Sequence, residues 1–123
     1  MWHLSPTIFL SRSSNTSFKP VLTAAMISLN RHFVPSSKKS AFAQKFSEVK
    51  GLLEKYTTPY EVVGGWRIEK EGEGKEEWVL FSGFEDVEHH MAFAKTEEFE
   101  RYREIAGSVE GFEVKHLRSI EGL

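Results

Sequence analysis

Two histidines sit where the residue pattern can bury them. Histidine is also the side chain best suited to acid–base work near neutrality, because its unperturbed pKa is about 6.5. His90 shares one side of a helical stretch with Val87, Met91 and Ala94. His116 alternates with Phe112 and Val114, a strand parity that places all three on one sheet face. In a dry pocket such an imidazole removes a phenolic or otherwise activated proton. The competing reading is a hydrogen-bonded histidine of the core or edge. Asn30, in an extended run, has an amide able to orient a substrate carbonyl or phenol; otherwise it is a polar residue on the wetter side of a strand. These three are the candidate catalytic residues. Trp66, Tyr60, Phe93, Met91 and Trp78 are the candidate walls of a site for a small apolar or aromatic molecule, or simple core.

Other chemistries lack their residues. With no cysteine there is no disulfide framework, thiolate zinc site or cysteine nucleophile. His89 and His90 are adjacent, and neighbours on a helix diverge by about 100°, whereas ligand pairs want a spacing of three or four. Glu85 with His89 and Asp86 with His90 have that spacing but no third ligand nearby, so Asp86 reads as a helix cap and Glu85 as a charge at the helix's positive end. Gly72 and Gly74 lie between two strands rather than between strand and helix, which is not a phosphate loop. Arg31 and Arg67 would pair with a ligand carboxylate or, by default, with surface acids. Neither a metal nor a cofactor is expected.

The elements that must position these groups follow in order. Met26 to Val34 alternates as a strand, with Ile27, Leu29 and Phe33 on one face. After Pro35, Ser36 or Ser37 offers an N-cap, and Phe42, Phe46, Val49, Leu53 and Tyr56 form an apolar helical stripe ended by Thr57-Thr58-Pro59. Tyr60 to Glu69 reads as a second strand, in which Gly64-Gly65 marks a bulge or a close approach to the backbone. A polar loop, Lys70 to Lys75, leads to a third strand around Trp78-Val79-Leu80-Phe81. A second helix starts at Glu85 or Asp86, continues through Phe99, Tyr102 and Ile105, and is capped by Gly107. Phe112 to His116 forms the last strand, with Leu117 and Ile120 after it. The order βαββαβ predicts an α+β, ferredoxin-like fold: a four-stranded antiparallel sheet with two helices on one face.

One domain accounts for the 123 residues, and 40% hydrophobic with 28% charged residues is ordinary globular composition. A net charge of −2 argues against nucleic acid as a partner, and no apolar run approaches the roughly 20 residues of a membrane helix. The charge is uneven: +6 over residues 1–47, which hold no acid, and −8 beyond. Residues 1–24 are hydroxyl-rich, weakly basic and interrupted by Pro6 and Pro20. They read as a disordered extension, a transit peptide, or sequence upstream of a true start at Met26. The domain proper is placed at 25–123, and the location is cytoplasmic, or mitochondrial if the extension is a transit peptide.

The third strand is apolar on both sides, Trp78 and Leu80 against Val79 and Phe81, while both helices cover only one sheet face. Burying the other face against a second copy predicts a homodimer; the alternative is a terminal segment folded over it.

Trp78 to Phe93 resembles the third strand and second helix of antibiotic-biosynthesis-monooxygenase-like domains. Ala94-Lys95-Thr96-Glu97-Glu98-Phe99 and Val114-Lys115-His116-Leu117 resemble the mid-helix segment and closing strand of the family's fungal members. The resemblance covers roughly residues 26–121 and extends to the stress-responsive α/β-barrel proteins. It implies a dimeric α/β barrel and, as activity, cofactor-independent oxygenation of electron-rich aromatics: a base takes a phenolic proton and the carbanion-like ring passes an electron to O₂. Heme-degrading relatives pair a strand-one Asn with a Trp and a His on the second helix. Asn30 matches the first, but Phe93 and Arg103 stand at the other two places. A non-oxidative polyketide-type cyclase and a non-enzymatic, stress-related binding dimer are the alternatives.

Overall fold

A computed structural model describes residues 17–119. Strand β1 (Met26–Pro35) leads into helix α1 (Lys39–Thr57), the short strand β2 (Val63–Trp66) and strand β3 (Lys75–Phe84). Helices α2 (Val87–Ala92) and α3 (Glu97–Tyr102) follow, then strand β4 (Gly111–Arg118). The four strands form one antiparallel sheet in the order β2-β3-β1-β4, the ferredoxin-like arrangement. Among the described residues no helix is long and apolar enough to cross a membrane.

α1 buries the expected stripe, Phe42, Phe46, Val49 and Leu53, with Tyr56 half-buried beside it. It starts without a side-chain cap, since the Ser36 hydroxyl donates instead to Glu76 at 2.7 Å. Together with Lys70 and Lys39, that bond holds the Glu76 carboxyl down to about 2. β2 is shorter than its sequence suggests. Gly64 is where Trp78 crosses: a Cβ there would lie 2.5 Å from the indole ring, so glycine is required by close approach.

The second helix is not continuous. Asp86 caps α2 as expected, accepting from the His89 N–H at 2.7 Å. The chain then tightens into a 3₁₀ turn over Phe93–Lys95 and breaks at Thr96, whose extended backbone and side-chain bond to the Phe99 N–H make it the cap of α3. The break changes which residues face inward. Phe93, Tyr102 and Ile105 are buried, whereas Val87 and Met91, expected inward, are 44% and 59% exposed.

The boundary at residue 25 also shifts. Residues 19–24, expected in the extension, belong to the folded unit. Lys19 bridges Tyr60 through backbone hydrogen bonds to Pro59 and Glu61, and Val21 and Ala24 are buried. Ala24 and Tyr60 press on Gly83, covering one end of the sheet face opposite the helices. Residues 1–16 and Ile120 lie outside the described residues. If this docking contributes to the fold, Val21→Ala should lower stability by about 2 kcal/mol, two buried methyl groups' worth, measured by urea unfolding. An unchanged midpoint would return residues 19–24 to the extension.

Candidate functional site

Alternation along β1 sends Met26, Ser28, Asn30, His32 and Val34 toward the helices. Register carries that face across the sheet, to Trp78, Leu80, Ser82 and Phe84 on β3 and to Phe112, Val114 and His116 on β4. The strand-one polar residues are therefore buried on the core side, not the wetter one. Between this face and α2, α3 and the segment after them lies a cavity of about 560 Å³. Its walls are mainly apolar, including Leu53, Phe93, Phe99, Ile105 and Val109, with Asn30, His32, Ser82, His90 and His116 as polar groups and Arg103 exposed at its edge. A mostly apolar cavity with few convergent polar groups is the usual form of a small-molecule site.

His90 and His116 meet there, Nδ1 to Nε2 at 3.0 Å and near edge-on. One ring nitrogen of this contact donates and the other accepts, so both rings cannot be charged without strain between them. His90 lies flat on Phe84, centroids 4.3 Å apart. Burial, then the neighbouring His116 and His89, push its pKa down to about 4. It is therefore a free base at neutral pH. His89 turns away, stacking on Tyr56 at 4.8 Å and accepting from the Glu85 N–H.

Asn30 is buried with its Oδ1 taken by the Ser28 hydroxyl at 2.7 Å, which leaves its NH₂, a donor, to serve the cavity. His32 is 2% exposed, wedged between Phe42 and Phe112, with Nδ1 3.2 Å from the Trp78 carbonyl. A carbonyl only accepts, so Nδ1 carries the proton and Nε2 remains an acceptor. Burial lowers its pKa to about 4.

Of the candidates, the cavity thus gathers His90, His116, Asn30, Phe93 and Met91. Trp66, Trp78 and Tyr60 lie elsewhere. The two tryptophans pack on each other at 5.1 Å and on Phe42, because their side chains fill the space beside α1. Tyr60 sits at the opposite sheet face against Gly83. Sequence reasoning missed His32 and Ser82, although both share parity with residues it named. Arg31 and Arg67 are engaged by Glu77, Arg31 with both its Nε and Nη2, and Arg31 also reaches Glu113. Among the described residues no group of three metal-ligating side chains occurs.

No family's sequence pattern matches the chain, and no curated protein matches it. Solved structures do. An antibiotic biosynthesis monooxygenase-type protein from Bordetella bronchiseptica superposes with a TM-score of 0.61 at 18% identity, over 78% of this chain and 98% of that one. One from Caulobacter crescentus gives 0.55 at 16%, over 80% and 92%. SnoaB, a cofactor-independent oxygenase from Streptomyces nogalater, gives 0.53 at 8%, over 79% and 95%. The chain has the fold of antibiotic biosynthesis monooxygenases.

Two neutral histidines, His32 buried and His90 half-buried, fix the sign of the pH dependence. In the unfolded chain each gains a proton near 6.5, in the folded one near 4. Stability should therefore be full above about 6.5 and fall as pH drops toward 4. The Glu76 contribution goes later, between its usual 4.5 and about 2. Urea midpoints against pH should show the first decline reduced in His32→Phe; an unaltered decline would mean that His32 titrates normally.

Proposed function

We propose that the protein binds a small, largely apolar aromatic molecule in the helix–sheet cavity and oxidises it with O₂ as the electron acceptor and no cofactor, with His90 as the base. The observation that carries this reading is the His90–His116 contact on the wall of a mainly apolar cavity. His90 is uncharged at neutral pH and ready to accept a proton, and His116 provides the neighbouring nitrogen to which that proton can relay. The low pKa also makes His90 a weak base, so the fitting substrate carries an acidified hydroxyl or a C–H activated by a carbonyl. Asn30 NH₂ would donate to the oxygen on which charge develops. Likeness to SnoaB supports the choice of oxidation over non-oxidative cyclisation. The cavity itself favours a binding role over a dimer whose core is filled by side chains.

His90→Phe keeps a ring on Phe84 and removes both nitrogens. Fluorescence titration should show aromatic ligands binding within a few-fold of wild type, while oxygen uptake on any substrate found falls by roughly 100-fold or more. Wild-type turnover in this variant would remove His90 from the mechanism and leave His116 to be tested.

We further propose that the sheet face opposite the helices is covered by a second copy of the chain. Residues 19–24 and Tyr60 cover only its Gly83 end, leaving Leu29, Phe33, Val79 and Phe81 half-buried and Val63 and Leu117 about 40% exposed. Beside them the Arg31–Glu77–Arg67 and Arg31–Glu113 pairs neutralise one another, so a like face meets little repulsion. Wild type should sediment as a dimer at micromolar concentration, and Phe81→Glu as monomer or insoluble protein. A soluble wild-type monomer would refute the assembly.

A further inference from the structure

Nearly every buried side-chain polar atom among the described residues has a partner. The two exceptions are Trp78 Nε1 and Ser82 Oγ. The indole N–H lies in the aromatic cluster beside α1, away from the cavity. Ser82 is different: it is 0% exposed and sits in the cavity's floor. It pairs across the sheet with Ser28, which has already spent its hydrogen on Asn30. A buried hydroxyl without a partner costs stability, and a valine or alanine would fill this strand position without that cost.

We propose that Ser82 is a substrate-positioning residue: its hydroxyl, on the β3 side of the cavity floor, anchors a second ligand oxygen across the sheet from His116. This rests on the cavity being the binding site. The spacing follows from register. Ser82 and His116 both pair with Ser28, from opposite sides, so their backbones stand two strand spacings apart, roughly 10 Å. A ligand touching both ends carries oxygen on opposite edges of a fused ring rather than on one. The Ser82 hydroxyl can donate or accept, so a carbonyl or a hydroxyl is held equally well. Specificity then comes from the polar floor, because an analogue lacking the second oxygen leaves Ser82 buried and unpaired, as it is without ligand.

The test compares 2,6-dihydroxynaphthalene with 2-naphthol by fluorescence titration in wild type, Ser82→Ala and Ser28→Ala. Ser82→Ala removes one atom and adds no bulk. Wild type should prefer the diol by about five- to tenfold, and Ser82→Ala should lose that preference with 2-naphthol affinity unchanged. Its melting temperature should equal or exceed wild type, since an unsatisfied group has gone. Ser28→Ala, which strands the Asn30 carbonyl, should melt lower. Equal preference in wild type and Ser82→Ala overturns the proposal, as does a lowered melting temperature for Ser82→Ala, which marks a structural hydroxyl. If wild type binds neither probe, the cavity is not the binding site and the anchor falls with it.

Discussion

β1 is hydrogen-bonded along both edges, to β3 from Met26 to Pro35 and to β4 from Met26 to Phe33, so it cannot slide against either neighbour. A slip of one residue would turn every side chain to the opposite face. Ser28, Asn30 and His32 would then leave the helix side, and Ile27 and Leu29 would enter it. The cavity, its polar floor and the docking of α1 all depend on that one register. The ends of the strand help hold it: Met26 and Val34 are buried beneath the helices, and Ile27 is buried on the opposite face.

An apolar strand face would make the more stable core. Placing three polar groups on it costs desolvation that hydrogen bonds only partly return. Ser28 bonds Asn30 and His32 bonds the Trp78 carbonyl, while Ser82 bonds nothing. Ser28, Asn30 and Ser82 fall at one end of the sheet, under α2 and α3, and His32 stands at the boundary, against Phe42. At the other end Phe42, Phe46, Trp66 and Trp78 make a dense aromatic cluster with no chemistry in it. A single sheet face thus carries a dense aromatic half and a half with a polar-floored cavity.

This division explains what was legible in the sequence. Element order came through because the α1 stripe, the Lys70–Lys75 loop and the strand alternation are local signals. His90 and His116 could be brought together on parity alone. Three features needed information that is not local. Thr96 reads as mid-helix until its hydroxyl finds the Phe99 N–H, so Met91 looked inward. Trp66 and Trp78 have the composition of a ligand wall, but the glycine at position 64 lets them collapse onto Phe42 instead. Ile27, Leu29 and Phe33 are the more apolar parity of β1, so hydrophobicity by itself assigns the helix side to the wrong set; the burial of Ser28 and His32 reverses it.

The break at Thr96 bears on how the cavity is roofed. α1 has 19 residues, enough to hold its own shape, but α2 and α3 have six each, with 3₁₀ turns after both. Helices so short have no cooperative stability of their own. The roof is held down by Phe93, Tyr102 and Ile105 and by the Tyr56 hydroxyl, which donates to the His89 carbonyl. Each piece therefore depends for its place on these few anchors rather than on its own helical hydrogen bonds. The roof is then fixed by a few anchoring rings rather than by a hinge, and its local stability is decoupled from the global stability of the fold.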